Sequence, residues 1–124
     1  MKLIVSNNTI GAGPFVELPV EDILYFEFDR KSKMITLHSL AEQFYMPGTL
    51  IFWQNGLLES GYEFVMLDRN NAVNLSKLRY VDQVSNRGYF EDDISPKSKH
   101  CTISIANIAI VKQRVATMSN MLVN

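Results

Sequence analysis

Few side chains in this sequence have types and spacing that suit catalysis or metal binding. His38 falls in a segment with strand periodicity, His100 lies where another strand begins, and no His-x-x-x-His pair joins them. Cys101 follows His100 directly, but neighbours in a strand point to opposite faces, so a thiolate–imidazole pair is not expected. We interpret both histidines as surface or half-buried strand residues and Cys101 as a structural thiol. The sequence therefore predicts no enzyme, no metal site and no cofactor.

Two other patterns are equally uninformative about chemistry. Glu91, Asp92 and Asp93 follow one another in a loop that contains Ser, Pro and Lys, and such a charge run is usually a solvated surface. Gly11 and Gly13 are not followed by a helix, so they predict no phosphate-binding turn. With neither motif present, we expect no small-molecule substrate.

The charge is unevenly distributed along the chain. The 124 residues carry a formal net charge of −1, which argues against a binder that attracts nucleic acid by basic excess alone. Residues 1–65 hold four Lys or Arg against eight Asp or Glu, whereas residues 66–124 hold eight against five. The second half can therefore form a local basic face, although ordinary soluble surfaces show a similar imbalance.

Short alternating segments dominate the sequence and predict a mostly β domain of the α+β class. Pro47 and Gly48 precede apolar residues at helical spacing, and Gly61 follows them, which predicts one amphipathic helix near the middle. A second helix is expected near the C-terminus. The predicted strands are 23–28, 33–38, 43–46, 64–67, 72–75, 78–83, 87–91 and 100–104, and the predicted helices are 50–58 and 105–118.

Length and hydropathy limit the organisation of the chain. A chain of 124 residues fits one domain, and the longest apolar run, 103–111, is much shorter than the roughly 20 residues of a spanning helix. Residues 1–6 are too short for the core of a signal peptide. We therefore expect a single domain over residues 1–124, without a membrane partner, in the cytoplasm.

Two blocks of the sequence together resemble the LytTR DNA-binding domain family. The first is DILYFE, residues 22–27, and the second is FVMLDRNNAVNL, residues 64–75. The family has an acidic residue and Ile-hydrophobic-aromatic-hydrophobic-Glu in the first block. In the second it has Phe-x-Arg-x-His-Arg-Ser-aromatic-hydrophobic-Val-Asn. Arg69 and the Val73-Asn74-Leu75 run match at the family's spacing, and the likeness extends over about 19–115.

This resemblance implies a bacterial transcription regulator with short antiparallel sheets. Such a domain inserts loops into successive major grooves of promoter repeats on double-stranded DNA. The family often carries this module behind a receiver domain, for which 124 residues leave no room, so the resemblance implies a free-standing member. We also expect a homodimer, because a second copy would restore the affinity for DNA that a chain with few cations loses.

The resemblance implies three contact regions. The first is the turn with Arg30, Lys31 and Lys33, whose long donors suit phosphates and guanine edges. The second is the loop of Arg69, Asn70 and Asn71, flanked by Lys77. The third is the turn into the C-terminal segment, where Asn107 and Lys112 remain. The candidate DNA-binding residues are Arg30, Lys31, Lys33, Arg69, Asn70, Asn71, Lys77, Asn107 and Lys112.

Each region also has a purely structural interpretation. The first turn is typical of a solvated hairpin, and the asparagines suit left-handed turn positions. We interpret Asn74 as a structural turn residue. An acidic 91–99 loop that lay against the contact face would oppose DNA binding.

The sequence departs from the family at several basic positions. Met66 stands where the family usually has Arg, Asp68 where it often has His, and Ile105-Ala106 where it has Arg-Arg. Two hypotheses follow. The chain is a sequence-specific DNA-binding regulator, or it is a LytTR-like domain that has lost DNA binding and acts through protein contacts. The second would use the apolar C-terminal stretch with Met118, Met121 and Leu122, although such a stripe more often packs on a sheet.

Overall fold

The structure is a computed structural model that describes residues 1–115 and 122–123. Two helices and eleven strands form within these residues, mostly in antiparallel pairs. The helices are α1 (Leu50–Glu59) and α2 (Ile105–Val115). The strands are β1 (Lys2–Val5), β2 (Val16–Pro19), β3 (Tyr25–Asp29), β4 (Met34–His38), β5 (Gln43–Met46), β6 (Val65–Asp68), β7 (Asn71–Val73), β8 (Tyr80–Asp82), β9 (Arg87–Tyr89), β10 (His100–Thr102) and β11 (Leu122–Val123). The prediction of a mostly β, α+β domain is confirmed.

A five-stranded antiparallel sheet forms the centre of the fold, in the order β5-β4-β3-β7-β6. Phe26 of β3 lies opposite Leu37 of β4 on one side and Ala72 of β7 on the other. All three side chains are fully buried. Burying a large apolar side chain contributes about 1.5–3 kcal/mol, so this row fixes the register of the sheet.

The two faces of this sheet support separate apolar cores. On one face, α1 and the β1–β2 hairpin cover Phe26, Ile35 and Leu37. On the other face, α2 and the sheet β10-β9-β8-β11 cover Tyr25 and Val73. Since both faces are covered, the strands are more deeply buried than their alternating sequences predict.

The predicted central helix is confirmed at 50–59. The Thr49 hydroxyl caps its first turn by accepting a hydrogen bond from the Phe52 amide at 3.2 Å. Gly61, at φ 94°, follows the helix and allows the chain to reverse. Leu57 is buried, whereas Leu58 is 57% exposed, so only part of the predicted apolar stripe faces the core.

Three strands and several boundaries differ from the prediction. Strands β1, β2 and β11 were not predicted, because each is short and, unlike 43–46, none of them continues a predicted meander. The predicted strand 72–75 ends at Val73, and Leu75–Lys77 forms a turn of 3-10 helix. The second helix begins at Ile105 as predicted, while positions 116–118 of that prediction lie outside the described residues.

The burial of His38 also differs from the prediction. Its side chain is only 7% exposed, with Nε2 at 3.1 Å from Glu27 Oε1 and Nδ1 at 3.3 Å from Lys99 Nζ. The ring stacks on Tyr25 at a centroid distance of 4.2 Å. Alternation could not indicate this burial, because a second sheet covers the face on which His38 lies. Cys101 is buried as expected of a structural thiol, and burial raises its pKa to about 12.

Candidate nucleic-acid interface

Two hairpin turns lie side by side at one end of the central sheet. The first turn, 30–33, joins β3 to β4, and the second turn, 69–70, joins β6 to β7. Strands β3 and β7 are antiparallel neighbours, with Glu27 opposite Asn71, and the Phe28 amide donates to the Asn70 carbonyl at 2.9 Å. The first two predicted contact regions are therefore adjacent.

The start of α2 is fixed against the same end of the sheet. The Ser104 amide donates to the Leu67 carbonyl at 2.8 Å, and Asn107 Nδ2 donates to that carbonyl at 3.0 Å. The turn 83–86 between β8 and β9 lies beside this segment, because the Ile103 amide donates to the Asn86 carbonyl at 2.9 Å. We call the three turns, 30–33, 69–70 and 83–86, together with 104–107, the turn end of the molecule.

An aspartate stabilises the first turn from within. The Asp29 carboxylate accepts a hydrogen bond from the Lys31 amide at 3.1 Å and another from the Ser32 hydroxyl at 2.9 Å. These two bonds hold the pKa of Asp29 below its usual value. Lys33 completes the turn at φ 62°, a left-handed conformation that is uncommon for a residue with a long side chain.

The other two turns use aspartates in the same way. Asp68 accepts from the Arg69 amide at 2.7 Å and from the Thr102 hydroxyl at 2.7 Å. Asp82 accepts from the Val84 amide at 2.9 Å. These hydrogen bonds fix the positions of the three carboxylates and leave them charged, so they offset part of the basic charge at this end of the molecule.

The basic side chains of the turn end are exposed. Arg30, Lys31 and Lys33 on the first turn and Arg69 on the second are all exposed to solvent. Arg87, the first residue of β9, is exposed as well and lies opposite Thr102 in the β9–β10 pair. Sequence analysis did not single out Arg87, because it lies outside both family blocks and the basic excess of the second half was its only signal.

The adjacent residues Asn70 and Asn71 have different environments. Asn71 is only 3% exposed, and its Oδ1 accepts from the amides of Leu67 at 3.2 Å and Asp68 at 3.0 Å. Its Nδ2 donates to the Thr102 carbonyl at 2.8 Å. The side-chain amide of Asn71 is thus committed to the fold, contrary to its predicted role as a DNA contact. Asn70 is half-exposed and remains a candidate.

Asn107 is likewise committed to the fold. Its Nδ2 donates to the Leu67 carbonyl and to Ser104 Oγ at 2.8 Å, so both of its side-chain N–H groups have partners. Asn107 therefore positions the start of α2, which differs from its predicted part in a polar contact with DNA.

Lys77 and Lys112 lie away from the turn end. Lys77 lies in the 3-10 turn that follows β7, at the end of the sheet away from the turns. At this end Asn74 Nδ2 donates to the carbonyl of Ile23, which precedes β3, at 3.2 Å. That bond agrees with a structural role for Asn74. Helix α2 runs back along β6, and near its last residue Arg114 Nη1 contacts Glu63 Oε1 at 2.8 Å. Lys112 lies two residues before Arg114, so neither lysine joins the cations of the turns.

The end opposite the turns has an open cavity of about 610 Å³ with an acidic rim. Carboxylates outnumber the cations that line it, and we call it the acidic groove. Its charged lining residues are Glu17, Glu21, Asp22, Glu42, Lys77 and Arg79. The 91–99 loop ends here, since Lys99 Nζ donates to the Glu42 carbonyl at 2.7 Å. The sequence did not indicate on which side of the molecule this acidic loop lies. In the structure, the last residue of the loop is held at the end away from the turns.

Metal-binding clusters and membrane-spanning helices are absent from the part of the chain that the structure describes. No group of three or more His, Cys, Asp or Glu among them could hold a metal ion. Within the same residues, neither helix has the length and hydropathy to cross a membrane.

Comparison with known proteins gives one informative result. No protein-family model and no curated protein matches the sequence. A solved structure, the LytTr DNA-binding domain of a regulator from Bacillus cereus, is similar with a TM-score of 0.66 over 92% of this chain and 95% of that chain. The sequence identity between the two is 10%. This chain has the LytTR-type fold.

The LytTR-type fold confirms the architecture that the two sequence blocks implied. Short antiparallel sheets, a central helix and a C-terminal helix occur together, as the resemblance implied. At 10% identity the similarity concerns the fold, and the part played by each side chain must be argued from this chain alone.

Proposed function

We propose that this chain is a DNA-binding transcription regulator of the LytTR type that contacts double-stranded DNA through its turn end. One observation carries the proposal. Five exposed cations lie at one end of a LytTR-type fold, where they outnumber the three turn carboxylates of Asp29, Asp68 and Asp82. Phosphates attract such cations, while base edges in a groove can accept from Arg and Asn donors.

The contact set proposed from the structure is smaller than the set predicted from the sequence. It comprises Arg30, Lys31, Lys33, Arg69 and Asn70, with Arg87 added. Asn71 and Asn107 are excluded because their side-chain amides serve the fold. Lys77 and Lys112 are excluded because of their position.

The number of available cations limits the affinity. Each phosphate contact contributes about −0.9 to the slope of log K against log salt on B-DNA. If each of the five cations in this set neutralises one phosphate, a single copy has a slope of roughly −4.5. We propose that the chain binds promoter repeats as a homodimer, because a second linked copy about doubles the number of contacts. We further propose that it acts as a single domain in the cytoplasm.

Part of the surface required by the protein-interaction hypothesis is buried in the core. Val111 is fully buried and Ile108 packs against the same core, so these residues of the apolar stripe serve the fold. Met118 and Met121 lie outside the described residues, and Leu122 lies in β11. No contact within the described residues favours this hypothesis over DNA binding.

A fluorescence-anisotropy titration tests the proposal. The protein is titrated into random duplex DNA and into duplexes selected from that pool, at several salt concentrations. We expect saturable binding, preference for the selected duplexes and a slope of roughly −4 to −5 for each bound copy. Absence of binding at low salt would refute the proposal.

A further inference from the structure

Two of the most exposed large apolar side chains lie at the turn end, beside the cations. Val84, in the turn 83–86, is 89% exposed, and Ile105, the first residue of α2, is 80% exposed. Within the described residues only Ile10, at 84%, is comparably exposed among large apolar side chains. Single exposed apolar residues are common, but two at one charged end of a molecule need an explanation.

Hydrogen bonding brings the segments that carry these two residues to the same edge. Thr102 lies opposite Arg87, and the Ile103 amide donates to the Asn86 carbonyl one step further along. Val84 and Ile105 each lie two residues beyond that bond. The two residues therefore lie at the end of the β9–β10 pair, where the Thr102 hydroxyl and the Ser104 amide bond the segment that precedes Arg69.

The backbone that carries Ile105 is firmly held. Ser104 on one side of it donates its amide to the Leu67 carbonyl, and the Asn107 side chain on the other side bonds that carbonyl and Ser104 Oγ. Ile108 and Val111, further along α2, are packed in the core. Because the helix is fixed in this position, Ile105 cannot enter the core. Its side chain is therefore available to a ligand that binds the turn end.

Charge indicates what meets this surface. At the turn end, five exposed cations outnumber the carboxylates of Asp29, Asp68 and Asp82, whereas four carboxylates and two cations line the acidic groove at the other end. A polyanion fits such a surface, and the apolar group that a DNA duplex offers in its major groove is the C5-methyl of thymine. Isoleucine and valine provide methyl surface without any hydrogen-bonding group.

We propose that Ile105 and Val84 determine sequence preference by contacting thymine methyl groups in the major groove, next to the phosphates bound by the turns. This proposal rests on the proposed DNA-binding function. Ile105 stands where the family has an Arg. An apolar contact at this position would therefore favour thymine over the other bases without raising the general affinity for DNA.

Replacing thymine by deoxyuridine tests the proposal, because uracil lacks only the C5-methyl group. A duplex selected from a random pool is prepared with deoxyuridine at one thymine position at a time. Affinities are measured for the wild type, Ile105→Ala, Val84→Ala and Ile110→Ala. Ile110 is a matched control, since it lies on the same helix and is 41% exposed.

We expect the wild type to lose roughly threefold to tenfold in affinity at one or more substituted thymines, the value of burying about one methyl group. Ile105→Ala or Val84→Ala should abolish that loss at its own position, and Ile105→Val should retain part of it. Ile110→Ala should behave like the wild type. The salt slope should remain unchanged in all four variants, because no charge is removed.

Each other outcome overturns the proposal in a distinguishable way. If the protein binds duplex DNA and its affinity is indifferent to deoxyuridine, or if the loss persists in both alanine variants, methyl contact is wrong while DNA binding stands. If Ile105→Ala instead abolishes self-association in analytical ultracentrifugation and leaves the deoxyuridine effect intact, the apolar pair is a protein contact. If the wild type binds no DNA, the proposed function fails together with this inference.

Discussion

The two ends of the central sheet differ in their balance of charge. At the turn end, five exposed cations outnumber the carboxylates of Asp29, Asp68 and Asp82. At the other end, the acidic groove has Glu17, Glu21 and other carboxylates on its rim. The net charge of −1 conceals this separation. For recognition of a polyanion, the position of the charges thus matters more than their sum.

The largest expected effect comes from removing two cations at the turn end. Arg30→Ala with Lys31→Ala should weaken duplex binding by at least about 100-fold at low salt, because two charged hydrogen bonds at roughly 1.5 kcal/mol each contribute about 3 kcal/mol. The salt slope should fall by about 1.8. Lys77→Ala with Arg79→Ala removes the same charge at the acidic groove and should leave the slope unchanged. Anisotropy titrations of both variants at four salt concentrations measure this, and equal slopes for the two would contradict the comparison.

The adjacent asparagines of the second turn separate folding from binding. Asn71→Ala should lower the free energy of unfolding by about 1–3 kcal/mol, because it leaves the Leu67 and Asp68 amides without their acceptor. Asn70→Ala should change stability by less than about 0.5 kcal/mol while weakening DNA binding. Urea unfolding and anisotropy on both variants decide this. The reverse pattern would show that Asn71, and not Asn70, faces the ligand.

Lys33 tests whether a left-handed turn position is used to display charge. Glycine adopts φ 62° without steric cost, so Lys33→Gly should leave stability within about 0.5 kcal/mol of the wild type. Affinity for duplex DNA should fall about tenfold and the salt slope by about 0.9. Thermal unfolding and titration measure the two effects. Unchanged affinity would mean that this lysine is only part of a solvated hairpin.

The smallest expected effect concerns the ion pair that ties the far end of α2 to Glu63. Arg114 bonds both carboxylate oxygens, at 2.8 and 3.0 Å, and lowers the pKa of Glu63 from 4.5. Since the folded pKa is lowered, the pair stabilises the protein above pH 4.5, and this stabilisation is lost as pH falls through the folded pKa.

Both side chains are about half exposed, so solvent screens the pair and its contribution to stability should be small. Glu63→Gln should lower stability slightly at pH 7 and remove this acid-dependent loss, as urea unfolding at pH 7 and pH 3 would show. DNA affinity should remain unchanged, because the pair lies away from the turns. A loss of affinity would show that the far end of α2 takes part in binding.

The sequence predicts the architecture better than it predicts the contacts. Alternation and turn residues located most strands, since Phe26, Ile35 and Leu37 do occupy the core that their spacing indicates. The sequence did not predict β1, β2 and β11, because these short segments do not continue a predicted meander as 43–46 does. The burial of His38 was also hidden, because it depends on a second sheet that is distant in sequence.

In the candidate site too, local features were predictable from the sequence and long-range contacts were not. Arg30, Lys31, Lys33 and Arg69 are exposed, which is compatible with their predicted contacts, and their DNA binding stays a prediction. Long-range hydrogen bonds from Asn71 to Thr102 and from Asn107 to Leu67 could not be predicted, since they join segments about thirty to forty residues apart. The location of Lys77 at the opposite end depends on the order of strands in the sheet.

Nuclear magnetic resonance mapping of the DNA-binding surface tests the central claim most directly. Isotope-labelled protein is titrated with a duplex selected from a random pool, and backbone amide shifts are followed along the chain. We predict that the largest changes fall at 30–33, 69–70, 83–87 and 104–106, with none above background at 17–22, 39–42 and 76–79. Changes centred on the acidic groove, or an unperturbed turn end with bound duplex, would contradict the assignment of DNA binding to the turns.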